Sequence, residues 1–225
     1  MAILRVRALL KLEHFNGVKG EKKMARIAYD MDDCICAYVA AFLDYYNRHN
    51  GTCYTMDDFI YYHSWDVFGI THEEGYFWEN QFANSEEARI LPVIPNASEV
   101  ISRFNSKHSQ FIVTARWSTN AHTNTLEQLE YYVPGIFNID SIFFTSRGSG
   151  KSPVCKSVIC QQNGFDILID DRYFYIDAVA ALGIEAILFQ PDDYHWNVLP
   201  DVLPSKVHLA KNWHEVEAII NQLFP

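Results

Sequence analysis

The sequence predicts an α/β fold built on a doubly wound parallel sheet, and two observations carry the prediction. Short apolar runs recur along the chain, and segments of helical periodicity separate them. Strands that alternate with helices in this way are joined by right-handed crossovers into a parallel sheet. The first strand is expected at Arg26–Tyr29, where Ile27-Ala28-Tyr29 reads as buried and breaks abruptly at Asp30. Further strands are expected at Gln110–Val113, Ser141–Phe144, Asp166–Ile169 and Glu185–Phe189, with a weaker run at Lys206–Leu209. Helical periodicity falls at Ser98–Lys107, Ser118–Tyr132, Pro153–Asn163, Tyr173–Leu182 and Trp213–Leu223.

One stretch departs from this alternation. Residues 34–95 separate the first strand from the second by far more than one crossover helix requires, and they are helical and aromatic, with Tyr38, Phe42, Tyr46, Trp65, Trp78 and Phe82 among them. A small helical cap inserted after the first strand is expected there, with most rings forming its core and one or two lining a slot for a flat ligand. The α/β core then comprises residues 24–33 and 96–225, and residues 1–23 read as an N-terminal extension, with Met24 as an alternative start.

With 225 residues the chain can bury a full core. Its 49% hydrophobic content argues against disorder, yet no segment approaches the ~20 apolar residues that span a bilayer. A formal net charge of -10 opposes binding to a nucleic-acid polymer. The five cysteines lack a Cys-x-x-Cys pair and a secretory leader, so reduced thiols in a cytoplasmic protein are expected. A zinc site from Cys34, Cys36, Cys53 and His49 matches no standard ligand spacing.

The chemistry is expected at the carboxyl ends of the strands, where ligands of open parallel sheets bind. The first strand ends in Asp30-Met31-Asp32-Asp33, three carboxylates within four positions. Acids at the end of a buried strand repel one another and resist desolvation, so a cation is expected among them. If strand geometry persisted, the Asp30 and Asp32 side chains would project to one side about 6 to 7 Å apart and share one metal ion. The second strand ends in Thr114-Ala115-Arg116, the third runs into a loop closed by Lys151, and the fourth ends in Asp170-Asp171.

That order of groups resembles the haloacid dehalogenase (HAD) superfamily of aspartate-nucleophile phosphohydrolases. Within it, Tyr29-Asp30-Met31-Asp32, Thr114-Ala115-Arg116 and Ile169-Asp170-Asp171, with Phe189-Gln190-Pro191 and Trp196-Asn197, look like the 5'-nucleotidase (deoxyribonucleotidase) type C group. The resemblance implies that Asp30 is the nucleophile and Asp32 the general acid and base. It implies Mg2+ held by Asp30, Asp32 through its carbonyl, and Asp170, with Asp171 nearby. Thr114, Arg116 and Lys151 would bind the substrate phosphate, and Lys156 competes with Lys151 for the ammonium role. The implied activity is hydrolysis of a nucleoside or deoxynucleoside 5'-monophosphate through an aspartyl-phosphate. The implied partner is a small phosphorylated substrate, with no membrane involved and a homodimer compatible.

Two departures accompany the resemblance. Asp33 and Cys34 stand where Gly and then Thr or Val are usual, and the segment from Lys151 to Asp170 is longer than is common in that group. Asp33 could join the metal shell, face solvent or alter substrate choice. Alternatives are a HAD phosphatase for another metabolite such as a sugar phosphate, and a non-catalytic HAD-like binding module. A response-regulator receiver is disfavoured, because Lys151 precedes the second acidic pair here instead of following it.

Overall fold

The computed structural model of the chain describes residues 24–118, 120–145 and 154–225. The expected extension over residues 1–23 and the loop lysine Lys151 lie outside them. Six strands, β1 (Arg26–Tyr29), β2 (Ser109–Thr114), β3 (Ile142–Phe144), β4 (Ile167–Asp170), β5 (Glu185–Phe189) and β6 (Val207–Ala210), form one sheet in the order β3-β2-β1-β4-β5-β6. Every neighbouring pair is parallel. Among the described residues eight α-helices accompany them: α1 (Tyr38–Asn50), α2 (Ser64–Phe68), α3 (His72–Ala83), α4 (Ala97–Phe104), α5 (Ala121–Tyr132), α6 (Lys156–Gln162), α7 (Tyr173–Ala180) and α8 (Trp213–Leu223). The doubly wound parallel sheet expected from the sequence is therefore present.

Each expected strand has its counterpart, and the differences lie at element ends. Helix α4 stops at Phe104 rather than Lys107, because the Lys107 and His108 N–H groups both return to the Phe104 carbonyl and turn the chain into β2.

Alternation along the strands divides the core between the two faces of the sheet. Ile27, Tyr29, Ile112, Ile167, Ile169 and Ile187 pack on one face with side chains of α4 and α8. Ala28, Val113, Leu168, Ala186 and Leu188 pack on the other with α6 and α7. Two polar side chains of this core find partners: Tyr29 Oη donates to Gln110 Oε1 at 2.7 Å, and Trp213 Nε1 donates to the Cys34 carbonyl at 2.8 Å.

Helices α1, α2 and α3 lie between β1 and β2 in the chain, where the long aromatic insertion was expected. Their rings form a continuous packing in which Tyr46 stacks on Phe68 at 3.8 Å and Phe82 meets Tyr38, Phe42 and Tyr45. This aromatic packing is continuous with the core on the α4–α8 face of the sheet.

Candidate active site

The sheet grows from β1 through β2 to β3 in one direction and from β4 to β6 in the other, so the carboxyl ends of β1 and β4 flank the topological switch point. Backbone pairing carries Asp30 one residue beyond β1, where its N–H donates to the Ile169 carbonyl at 2.8 Å. Asp170 closes β4 beside it, and Asp171 follows. One oxygen from each of Asp30, Asp170 and Asp171 lies within 4.8 Å of the others, and all three residues are buried. Among the described residues this is the only group of three or more side chains arranged to hold a metal ion, and the cysteines supply none.

Lys156 reaches this cluster from the first turn of α6. Its Nζ lies 2.6 Å from Asp30 Oδ2 and 2.7 Å from Asp170 Oδ2, and its side chain is fully buried. The signal for Lys156 was legible in outline, since it shares the buried helix face with Ile159 and Cys160. A lysine on such a face requires an acidic partner.

Electrostatics mark the cluster as short of positive charge. Burial pushes the Asp30 carboxyl up to about 7; the Lys156 ammonium opposes the shift and the charges of Asp170 and Asp32 add to it. Burial likewise pushes Asp170 up to about 6 against the pull of Lys156, and Asp171 up to about 6 against that of Arg172. Fully ionised, the carboxylates of Asp30, Asp32, Asp33, Asp170 and Asp171 exceed the cations of Arg116, Lys156 and Arg172 by two charges. An excess of negative charge favours a bound cation, and hard carboxylate oxygens are the donors Mg2+ prefers. The residues present therefore fit such an ion, which Asp30, Asp170 and Asp171 would hold.

Asp32 corrects an expectation. Its carboxylate does not converge with Asp30 and Asp170, because strand geometry ends at Tyr29 and the chain coils into a tight turn. The Ile35 and Cys36 N–H groups both donate to the Met31 carbonyl in that turn. Asp32 instead faces Arg116, whose Nε lies 3.0 Å from both carboxylate oxygens and whose Nη2 lies 2.5 Å from Oδ1. Arg116, expected on the substrate phosphate, is thus engaged with Asp32. Burial opposes the Arg116 charge, yet the Asp32 carboxylate outweighs it and holds the guanidinium above its usual range.

Thr114 closes β2 as expected but is fully buried, and its hydroxyl accepts the Arg116 backbone N–H at 3.3 Å. The pocket lining includes its neighbours Ala115, Arg116, Trp117 and Ser118. Asp33 adopts φ 56°, a left-handed conformation that Asp tolerates better than most residues. Its Oδ1 accepts the Val39 N–H at 3.0 Å, so it caps the first turn of α1. Burial and the Asp171 charge raise its carboxyl, while the Val39 N–H and Arg172 oppose the shift.

Asp171 is held from outside the cluster. Trp196 Nε1 donates to its Oδ2 at 3.0 Å, Arg172 Nε lies 3.0 Å from the same oxygen, and the Asn197 side-chain amide donates to its carbonyl at 2.7 Å. Arg172 also lies over the rings of Tyr62 and Trp196. A pocket of about 190 Å³ opens above the acids. Its lining includes Tyr38, Tyr62 and His63 from the insertion, together with Trp117 and Asn124. Two of the aromatic residues of the insertion, Tyr38 and Tyr62, thus reach the pocket, while Phe42, Tyr45, Tyr46, Phe59, Phe68 and Phe82 are buried and Tyr61, Tyr76 and Phe77 are exposed.

No protein-family model matches the chain, and no curated protein matches it in sequence. Solved structures do share its fold. A haloacid dehalogenase-like family hydrolase from Streptococcus pneumoniae superposes with a TM-score of 0.60 at 15% identity, over 88% of this chain and 98% of that one. A HAD-superfamily hydrolase of subfamily IA from Geobacter sulfurreducens gives a TM-score of 0.57 at 14% identity, over 88% and 96%. YfnB from Bacillus subtilis, described as a HAD-hydrolase and solved with magnesium bound, gives 0.56 at 16% identity, over 89% and 100%. The fold of the chain is therefore HAD-like.

Proposed function

We propose that the chain is a magnesium-dependent phosphomonoesterase that works through an aspartyl-phosphate on Asp30. The observation that carries this reading is the buried triad of Asp30, Asp170 and Asp171 at the switch point, bound by Lys156. The HAD-like fold and the magnesium bound by YfnB support it.

In the first step an Asp30 oxygen attacks phosphorus. The ester P–O bond breaks, and its electron pair leaves on the substrate oxygen, which takes a proton from Asp32. In the second step water attacks the same phosphorus and gives a proton to Asp32, and the bond to Asp30 breaks to restore its carboxylate and release phosphate. Lys156 fixes the orientation of Asp30 and keeps a positive charge beside the point of attack. Bound Mg2+ would offset the repulsion between the carboxylate and the phosphate.

The proposed substrate is a nucleoside or deoxynucleoside 5'-monophosphate. Tyr38, Tyr62 and Trp117 in the pocket wall offer faces for a base, which supports this class, as does the likeness of the motifs to the type C nucleotidases. The hydroxyl-binding character of Glu79, Asn124 and Ser118 in the same wall favours a sugar phosphate as the second reading. Nucleoside monophosphates and sugar phosphates assayed with and without Mg2+ separate the two. Absence of Mg2+-dependent phosphate release from every phosphomonoester overturns the enzymatic reading and leaves a HAD-like binding module.

A further inference from the structure

We propose that Arg116 is a positioning residue that orients Asp32 for the hydrolytic step, and that it does not bind the substrate phosphate. The inference rests on the phosphomonoesterase reading above. Its geometric basis is that each of the three guanidinium nitrogens already has a protein partner. Nε contacts both Asp32 oxygens, Nη2 contacts Asp32 Oδ1 and lies 3.3 Å from Cys36 Sγ, and Nη1 donates to Thr125 Oγ1 at 3.0 Å. Thr125 is fully buried on α5, so the far end of the fork is anchored to a helix. Both residues line the pocket, but the Arg116 side chain is only 10% exposed and that of Asp32 24%.

The two Asp32 oxygens are treated unequally. Oδ1 meets Arg116 Nε, Arg116 Nη2 and, at 3.6 Å, Cys36 Sγ, while Oδ2 meets Arg116 Nε. Oδ2 thus keeps the greater accepting capacity among the described contacts. It is the oxygen assigned to take the proton of the water that attacks the aspartyl-phosphate. In that step the water oxygen bonds to phosphorus, the P–O bond to Asp30 breaks with its electron pair returning to Asp30, and the released proton resides on Asp32 Oδ2. A forked guanidinium fixes a carboxylate in plane and direction, which a lysine ammonium cannot do.

p-Nitrophenyl phosphate with Mg2+ tests the assignment, because its phenolate departs without a proton and only the second step then needs Asp32. Arg116→Lys is expected to lower kcat about 100-fold, as misplacement of a catalytic group does. KM should fall together with kcat, so that kcat/KM, which reports phosphate binding and the first step, stays within about threefold. The rapid phase should survive as a burst of one p-nitrophenolate per enzyme before the slow steady state. Thr125→Val, which removes only the anchor, should show the same signature more weakly, and free guanidinium should restore turnover to Arg116→Ala. A KM raised about tenfold with kcat retained would make Arg116 a phosphate ligand and overturn the proposal. Loss of the burst together with a lowered melting temperature in both variants would make it a scaffold residue and also overturn it. A wild-type protein inactive on p-nitrophenyl phosphate and all other phosphomonoesters overturns the phosphomonoesterase reading itself, a result distinct from either.

Discussion

Lys156 is acceptable in the interior because Asp30 and Asp170 flank it, and they in turn because of its ammonium. Asp30→Asn keeps the shape of the side chain and removes the attacking oxygen, so it is expected to lower phosphate release by on the order of 10⁴-fold or more while circular dichroism stays unchanged. Lys156→Met is expected to cost about 3–5 kcal/mol in a denaturant titration, because it leaves two buried carboxylates without their ammonium. Motif order alone left Lys151 and Lys156 as competitors, since either precedes the second acidic pair. Only the docking of α6 against the sheet brings Lys156 to Asp30 and Asp170. Arg116 was visible as a forked cation near the site, but nothing in its spacing from Asp32 indicated that the turn after Tyr29 would direct that carboxylate toward it.

At the scale of elements, the close approach of α2 and α3 turns on Gly75. A Cβ there would stand 2.7 Å from Trp65 Cβ and 3.3 Å from Trp65 Cα. Gly75→Ala would gain about 1 kcal/mol of helix propensity. The contact is with backbone-anchored atoms, and overpacking of this kind costs about 1–3 kcal/mol, so a net lower denaturation midpoint is expected. Strands were legible because their apolar runs are buried on both faces, as in β4 and β5. Their ends were less so, since hydrogen-bonded turns such as the one from Phe104 to His108 depend on where the next strand must enter the sheet. The turn holding Asp33 shows the same dependence. Its carboxylate reads as a departure from a motif, yet in the fold it caps α1.

At the scale of the molecule, the excess negative charge at the switch point couples metal to stability. Mg2+ that binds the folded arrangement alone should raise the melting temperature, by about 2.7 kcal/mol of stabilisation at a hundredfold excess over Kd, and chelation should reverse the gain. Asp171→Asn should abolish most of that increment. At the start of β5, Glu185 pairs with Lys206 and His208. Burial raises its carboxyl, but the hydrogen bonds and charges of these partners outweigh burial and hold it below the usual carboxylate range. A carboxyl lowered in the folded state contributes stability above its unfolded pKa and loses it as the pH falls through the folded value. Glu185→Gln is therefore expected to cost up to about 1 kcal/mol at pH 7, with the difference from wild type closing below about pH 4. In the described residues no helix is long and apolar enough to cross a membrane.

The sequence by itself determined the parallel α/β sheet, the long helical stretch between β1 and β2 and the strand ends at which acids collect. These follow from local periodicity and from the cost of placing carboxylates beside buried strands. The tertiary structure alone decided which acids converge, which lysine meets them and where Arg116 points. Asp30 and Asp170 are 2.6 and 2.7 Å from one ammonium although they lie far apart along the chain, and such proximity arises only when β1 and β4 pair side by side.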